Sequence, residues 1–243
     1  MRIPRLYTQQ QLHADSLISL DKDAARYLSS VLRMTSGQMI NLFNGKGEEY
    51  IAEVASLSKN QVTVSIKESL PNDRESLLKI HLVIGISRGE RMDWVIQKAT
   101  ELGVHTITPI FTERNEVKLA GSRLEKRLVH WQQVSISACE QCLRNVVPTI
   151  NSAVSLEQCL GTNDGGLKIV LHHRTDRPLT ELQNTNNHVT ILVGPEGGLS
   201  DDEITLAESN GYNAVKLGPR VLRTETAPLA AISILQSLWG DMG

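Results

Sequence analysis

The sequence has few cysteines and no excess of basic residues, and each of these features excludes some classes of protein. Three cysteines in 243 residues form an odd and sparse set, so we expect no disulfide framework and a reducing compartment. The formal net charge is −2, whereas a chain that binds nucleic acid through its overall charge is strongly basic. Any contact with nucleic acid must therefore use local basic patches.

The sequence also lacks long apolar runs. No stretch approaches the length of a membrane-spanning helix, and the N-terminal segment has no apolar core of the kind found in signal peptides. We therefore expect a cytoplasmic protein that does not contact a membrane. With 40% hydrophobic and 21% charged residues, the composition is that of an ordinary globular protein. The length of 243 residues fits two unequal domains.

The first part of the sequence predicts a small β-barrel with one helix. Short runs of apolar and β-branched residues give candidate strands at 16–20, 38–43, 49–57 and 61–67. A candidate helix spans 21–34, with Asp21 as its N-cap. The polar, proline-containing segment 71–76 ends this pattern. We therefore place one domain at residues 1–70 and a second at residues 77–243.

After residue 77 candidate strands and helices alternate, which indicates an α/β domain with a mainly parallel sheet. The candidate strands lie at 79–86, 104–110, 167–171, 189–193 and 214–217. The candidate helices lie at 90–102, at 122–144, from 200 onward and at 226–239. Ser200 and Glu203 have the spacing of a capping box, and Pro228 falls in the first turn of the last helix, where proline is tolerated.

A glycine-rich loop joins the candidate strand 189–193 to the helix that begins at Ser200. Residues 194–198 read Gly-Pro-Glu-Gly-Gly, and glycines let the backbone approach a ligand closely. No lysine follows them, acidic residues open the helix, and the spacing does not fit a dinucleotide-binding loop, so a phosphate ligand is disfavoured. An adenosine compound without phosphates, such as S-adenosylmethionine (SAM), is compatible. A simple strand-to-helix turn is the alternative.

A second loop, at 218–226, follows the candidate strand 214–217. It places Arg220, Arg223 and Glu225 within six residues, between an apolar strand and an apolar helix. Such a cluster offers two fixed cations and one candidate base. The alternative is a solvated charged turn in which Thr224 or Thr226 caps the following helix.

Taken together, the two loops resemble the ribosomal RNA small subunit methyltransferase E family of the SPOUT superfamily. The resemblance covers nearly the whole chain, and its matching segments are 2–7, 31–34, 87–92, 97–103, 139–144, 194–198 and 217–227. It implies an N-terminal PUA-like β-barrel that binds RNA and a C-terminal SPOUT-type α/β domain with a deep trefoil knot. It also implies a homodimer, SAM as the cofactor, and methylation of ring nitrogen 3 of a uridine in 16S ribosomal RNA, with the 30S subunit as the expected context.

The resemblance also implies which residues form the site. Arg220, Arg223 and Glu225 are the expected catalytic residues: the arginines stabilise a uracil anion or position a phosphate, and Glu225 accepts a proton or orients Arg223. Glu196 is the competing base. The expected cofactor-binding residues are Leu171, His172, Gly194, Pro195, Glu196, Gly197, Gly198, Leu217, Gly218, Val221, Leu222 and Thr226. The expected RNA-binding residues are Arg2, Arg5, Arg33, Arg88, Arg91 and Arg144, since a few well-placed cations suffice to contact phosphates.

Other patterns in the sequence have simpler explanations. Cys139 and Cys142 have the spacing of metal ligands, but no second pair accompanies them, so we expect core packing and no metal site. His172 and His173 follow a candidate strand, where packing or hydrogen bonding is the commoner role. Three other functions stay open: a SPOUT enzyme that methylates a tRNA ribose, a non-catalytic RNA-binding assembly factor, and a nucleotide-binding enzyme.

Overall fold

The computed structural model describes residues 3–58, 60–71, 74–117, 119–161, 165–184 and 186–243. The chain forms two compact units. The N-terminal unit contains the chain up to Glu75 together with Cys139–Val147, and the C-terminal unit contains Ser76–Ala138 and Pro148–Gly243. Nothing in the sequence pattern indicated that Cys139–Val147 would belong to the first unit.

The N-terminal unit is built on a five-stranded sheet in the order β1-β3-β4-β5-β2. Its strands are β1 (Arg5–Tyr7), β2 (Leu17–Leu20), β3 (Met39–Phe43), β4 (Glu49–Leu57) and β5 (Val62–Leu70). Neighbouring strands are antiparallel except for the parallel pair β1 and β3, in which Leu6 lies opposite Leu42. One face is apolar and buried, and its alternating residues include Ile40, Leu42, Ala52 and Val54. Strand β1 was not predicted, because three residues are too short for a periodic pattern.

The predicted helix at 21–34 is shorter and less regular than expected. Helix α1 spans Lys22–Arg26 and continues as a π-helical turn, Tyr27–Val31. Asp21 is confirmed as the N-cap, since its side chain accepts a hydrogen bond from the Ala24 N–H at 2.8 Å. The π turn carries two serines, which are poorer helix formers than the alanines of α1. Arg33, with a φ of 51°, then turns the chain away from the helix.

The C-terminal unit is built on a parallel sheet in the order β12-β10-β11-β6-β7-β8, with β9 also paired to β7. Its strands are β6 (Lys79–Gly85), β7 (Thr106–Phe111), β8 (Thr149–Ile150), β9 (Val154–Ser155), β10 (Leu167–Leu171), β11 (His188–Val193) and β12 (Asn213–Val215). Side chains of β6 alternate between two buried clusters: Leu82 and Ile84 join one, and Val83 joins the other. Because both faces are buried, the strands are apolar runs rather than alternating ones.

Helices cover the two faces of this sheet. They are α2 (Glu90–Glu101), α3 (Gly121–Cys142), α4 (Leu156–Leu160), α5 (Asp201–Ser209) and α6 (Ala227–Trp239). The capping box at Ser200 is confirmed, since Ser200 accepts from the Glu203 N–H at 3.3 Å and Glu203 accepts from the Ser200 N–H at 2.8 Å. Helix α4 and the short strands β8 and β9 were missed. In the described part of the chain, no helix has both the length and the apolar character needed to cross a lipid bilayer.

The chain around β12 is held on both sides. On one side β12 pairs with β10, and the His172 N–H donates to the Val215 carbonyl at 2.9 Å. On the other side Lys216 pairs with Pro178, and the Lys216 N–H donates to the Arg177 carbonyl at 2.9 Å. The segment leaving β12 therefore runs between β10 and the connection from β10 to β11.

A buried arginine holds residues 139–147 in the N-terminal unit. Arg5 is 8% exposed, and its guanidinium donates to Glu49 at 3.1 Å, to the Cys139 carbonyl at 2.5 Å and to the Arg144 carbonyl at 2.8 Å. It also donates to the Asn145 side chain and lies 3.9 Å over the Phe43 ring. A cation is favourable at the C-terminal end of a helix such as α3, because the helix carbonyls carry a partial negative charge there. The interpretation of Arg5 as an RNA contact was wrong, because its donors are used inside the fold.

Arg144 is likewise a structural residue. It is 4% exposed, and its guanidinium forms a two-pronged ion pair with the Glu75 carboxylate, with the shortest distance 2.7 Å. Such paired geometry is the strong form of this interaction. The interpretation of Arg144 as an RNA contact was also wrong, since a buried and paired guanidinium is not free to bind a phosphate.

We predict that Arg5→Met lowers the free energy of unfolding by about 3–5 kcal/mol, because it leaves the Glu49 carboxylate buried without its partner. Lys67→Met is the matched control: it breaks an ion pair with Glu53 at 2.9 Å between half-exposed side chains, and the expected loss is about 0–1 kcal/mol. Urea titration followed by far-ultraviolet circular dichroism measures both. Equal losses in the two variants would contradict the structural role of Arg5.

Candidate functional site

A cavity of about 290 Å³ opens beside the carboxyl ends of β10, β11 and β12. Parallel strands bring the loops that follow them to the same edge of a sheet, which is where α/β proteins bind ligands. Three loops supply most of the lining: one after β10, one after β11 and one after β12. The lining includes Leu171, His172, Gly194, Pro195, Glu196, Gly197, Gly198, Leu217, Gly218, Val221 and Leu222. The structure thus brings together eleven of the twelve residues predicted to bind the cofactor.

The glycine-rich loop packs so closely that side chains do not fit. A Cβ added to Gly194 would lie 2.8 Å from the Leu199 nitrogen, and one added to Gly85 at the end of β6 would lie 2.5 Å from the Pro195 nitrogen. Gly198 has a φ of +71°, a conformation that other residues rarely adopt. Gly194 is therefore required by close packing within the protein, and Gly198 by its backbone conformation; the predicted close approach of this loop to a ligand stays a prediction.

Arg114 is a lining residue that the sequence analysis missed. Its guanidinium donates to the carbonyls of Gly197 and Leu199 at 3.4 and 3.3 Å, and a Cβ on Gly197 would lie 2.9 Å from the Arg114 Cβ. Arg114 therefore holds the glycine-rich loop from the side of β7. Its place three residues after β7, at the carboxyl edge of a parallel sheet, was the signal that could have identified it.

Glu196 is a carboxylate held in the cavity wall. Its Oε1 accepts from the backbone N–H of Arg88 at 3.0 Å and from the Arg91 guanidinium at 3.1 Å, and its side chain is 17% exposed. Partial burial acts to raise the pKa of Glu196, but the hydrogen bonds from the Arg88 backbone and Arg91 together outweigh it, so the pKa lies below its usual range. Glu196 is therefore ionised at neutral pH.

The three residues predicted to be catalytic do not all reach the cavity. Arg220 lines it, together with Thr224 and Ala227. Arg223, Glu225 and Thr226 are absent from the described residues that form the lining, and Thr226 stands at the N-cap of α6. The prediction that Thr226 contacts the cofactor is therefore not supported by the geometry of this cavity.

The rim of the cavity is more positive than the chain as a whole. Its cations are Arg114, Arg174, Lys216 and Arg220, and its carboxylates are Glu196 and Asp201. The Arg174–Asp201 contact is long, 3.4 Å, and exposed. A local excess of positive charge of this kind attracts a polyanion although the net charge of the chain is −2.

His172 lies in the cavity wall with His173 and Arg174 as its neighbours. Burial lowers the pKa of His172, and electrostatic interaction with the neighbouring His173 and Arg174 lowers it further. The ring is therefore neutral at neutral pH, which suits hydrogen bonding and packing rather than a role as a permanent cation.

The other predicted RNA contacts have different environments. Arg2 lies outside the described residues. Arg33 is exposed in the N-terminal unit. Arg88 and Arg91 are exposed, but they form ion pairs with Glu116 at 3.2 Å and with Glu196 at 3.1 Å. Arg91 therefore binds a residue of the cavity wall, Glu196, in the absence of RNA.

Cys139 packs in the interior as expected. It is fully buried, its thiol donates to the Val146 carbonyl at 3.7 Å, and burial raises the pKa of the thiol to about 12. A thiol that stays protonated is a poor metal ligand and a poor nucleophile.

Comparison with known proteins agrees with this arrangement. A family model described as an RNA methyltransferase domain matches residues 74–236, and one described as an RNA methyltransferase PUA domain matches residues 20–67. The ribosomal RNA small subunit methyltransferase E of Buchnera aphidicola is 38% identical over 99% of this chain and 98% of its own. That of Bacillus subtilis is 32% identical over 94% of this chain and 93% of its own.

Solved structures agree as well. The ribosomal RNA small subunit methyltransferase E of Neisseria gonorrhoeae, bound to SAM, superposes with a TM-score of 0.94 at 38% identity over the whole of both chains. A Legionella pneumophila protein in complex with bound SAM superposes with a TM-score of 0.96 at 41% identity, over 99% of this chain and 100% of its own. The chain therefore belongs to the ribosomal RNA small subunit methyltransferase E family.

Proposed function

We propose that this protein transfers a methyl group from SAM to ring nitrogen 3 of a uridine in 16S ribosomal RNA. The observation that carries the proposal is the cavity built from three loops, with a glycine-rich backbone wall and a cationic rim. It is supported by the similar Neisseria protein, which is named as a small subunit methyltransferase and was crystallised with SAM.

The lining fits an uncharged adenosine group better than a phosphate. The volume, about 290 Å³, is near the lower end for small-molecule sites, and acidic residues open helix α5 beside it. Bound there, SAM supplies an electrophilic methyl group on a sulfonium. The lining residues of the three loops would hold it, among them Leu171, Gly194, Gly198, Leu217 and Leu222. Backbone groups would make most of the polar contacts, because so many of these side chains are absent or apolar.

The substrate places a second demand on the site. The imide nitrogen of uridine is a poor nucleophile until it loses its proton, so nearby cations must stabilise the negative charge that develops on the ring. Arg220 is in position for this role, since it lines the cavity. Arg223, three residues further along the same loop, would position an RNA phosphate, and Glu225 would orient Arg223. The target base must leave its stack to enter the cavity.

We also propose the wider architecture implied by the resemblance. The path of the chain between β10 and the β10–β11 connection supports a trefoil knot of SPOUT type in the domain at 77–243. The strand order of the N-terminal unit is compatible with a PUA-like barrel at 1–70, and exposed Arg33 is a candidate RNA contact there. We infer that the protein acts as a homodimer in the cytoplasm, on ribosomal RNA within the 30S subunit.

The direct test supplies labelled SAM and three substrates in parallel: 30S particles, naked 16S RNA and tRNA. Label is expected in 16S RNA, from 30S particles above all, and nuclease digestion should release 3-methyluridine. Label only in tRNA, or only in a ribose, would refute the proposed reaction. RNA binding without any methyl transfer would favour a non-catalytic assembly factor.

Gly194→Ala is predicted to weaken SAM binding at least about tenfold, because the new methyl would lie 2.8 Å from the Leu199 nitrogen and displace the loop. Gly161→Ala is the matched control, since its Cβ would meet nothing closer than 3.7 Å and its φ is −68°. Isothermal titration calorimetry measures both affinities. Undiminished affinity in Gly194→Ala would remove this loop from the cofactor site.

Arg223→Ala is predicted to lower turnover roughly 10- to 100-fold while the Kd for SAM changes less than about twofold. The reason is that Arg223 lies outside the described lining of the cavity, so it can act on the RNA without touching the cofactor. Steady-state kinetics and calorimetry separate the two effects. A matching loss of turnover and of SAM affinity would place Arg223 in the cofactor site.

A further inference from the structure

Glu196 has one engaged carboxylate oxygen and one that is free. Oε1 accepts hydrogen bonds from the Arg88 backbone and the Arg91 side chain. Oε2 is buried and has no hydrogen-bond partner among the described residues. A buried carboxylate oxygen without a partner is costly, so this atom is expected to be satisfied by a molecule in the cavity that Glu196 lines. The group that binds it must be a donor.

A second unsatisfied group lies on the segment whose backbone binds Glu196. Ser87 is 4% exposed, and its hydroxyl has no partner within the described structure. Ser87 directly precedes Arg88, whose N–H binds Glu196. Ser87 is not among the described residues that line the cavity, whereas Glu196 is, so the inference is carried by the unpartnered Oε2 of Glu196.

The other carboxylates of the region are less suited to accept a proton. Asp201 also lines the cavity, but its side chain is 80% exposed and pairs with Arg174. Glu225 does not belong to the described lining. Among the described residues that line the cavity, Glu196 is therefore the carboxylate with a fixed orientation and a sheltered, unpartnered oxygen.

We propose that Oε2 of Glu196 accepts the proton of the target imide nitrogen, and that Arg91 is the positioning residue that holds the carboxylate for this step. The inference rests on the proposed function. In the step, the N–H bond breaks and its proton moves to Oε2. The nitrogen electron pair forms the bond to the methyl carbon, and the electrons of the broken carbon–sulfur bond return to sulfur, which becomes a neutral thioether. The carboxylic acid then returns its proton to water.

The arrangement around Glu196 fits a fixed acceptor. The hydrogen bonds from Arg88 and Arg91 lower the pKa of Glu196 although burial opposes them, so the acceptor is present throughout the neutral range. A carboxylate of low basicity gains the proton only as the nitrogen–carbon bond forms, when the imide becomes a much stronger acid. The charged and titratable groups that share the cavity with it are Arg114, His172, His173, Arg174, Asp201, Lys216 and Arg220.

The first test compares Glu196→Gln with Glu101→Gln, a matched control in which the carboxylate pairs with Lys98 at 2.8 Å and lies outside the described lining of the cavity. The amide oxygen of Gln can still accept from Arg88 and Arg91, so the wall should persist while the basic oxygen is lost. Single-turnover methyl transfer to 30S particles is expected to fall roughly 100-fold or more in Glu196→Gln and less than about threefold in Glu101→Gln. The Kd for SAM should stay within about threefold of wild type in both variants.

The dependence of the rate on pH gives a readout that a structural role would not change. The residual rate of Glu196→Gln should rise about tenfold per pH unit, because hydroxide must then remove the imide proton. In Arg91→Met the pKa of Glu196 should rise, since one cation and hydrogen bond are lost, so the acid limb of the wild-type profile should move to higher pH. Arg91→Lys keeps the positive charge and should therefore move the acid limb of the pH–rate profile less. The Arg91 variants keep the inference testable if Glu196→Gln fails to fold.

Several outcomes would overturn the inference. They are a Glu196→Gln rate within about threefold of wild type, a loss confined to SAM affinity, or an acid limb that stays in place in Arg91→Met. Each is distinct from failure of the proposed function, in which the wild-type protein itself methylates no uridine of 16S RNA. If wild type is active and Glu196→Gln equals it, the assignment of the proton acceptor alone is wrong.

Discussion

The site depends on the close approach of two backbone segments, the end of β6 and the loop that follows β11. A Cβ at Gly85 would lie 2.5 Å from the Pro195 nitrogen across this contact, and one at Gly194 would lie 2.8 Å from the Leu199 nitrogen within the loop. Since no side chain separates the segments, backbone forms the wall of the cavity, and the loops after β10 and β12 complete it. The contact also sets the position of Glu196, two residues after Gly194, so that the Arg88 N–H can reach its carboxylate.

Charge is distributed locally rather than over the chain. A protein with a net charge of −2 concentrates four cations around one cavity, and Arg91 stands just outside this lining. Arg114 binds loop carbonyls, and Arg91, from α2, holds Glu196. Arg220 lines the cavity, and its guanidinium is the one we assign to the substrate. Because the cations are concentrated locally, the overall composition of the chain gave no indication that it binds RNA.

The N-terminal unit uses arginine differently. Arg5 and Arg144 are buried, and their guanidinium groups join β1 and the end of α3 to Glu49 and Glu75. Leu143, with a φ of 72°, ends α3 in a conformation that leucine rarely adopts. The Arg5 guanidinium donates to the carbonyls of Cys139 and Arg144 on either side of this turn and so stabilises it. Basic residues in an RNA-binding family are therefore not all RNA contacts.

The sequence alone determined the features that depend on residues close together in the chain. The alternation of strands and helices, the capping box at Ser200 and the glycine loop at 194–198 follow from periodicity, side-chain hydrogen bonding and the conformational freedom of glycine. Tertiary structure decided which charges are buried, that Arg114 reaches the cavity from β7, and that Glu196 rather than Glu225 lies in its wall. These depend on contacts between residues distant in the chain, and neither spacing nor composition records them.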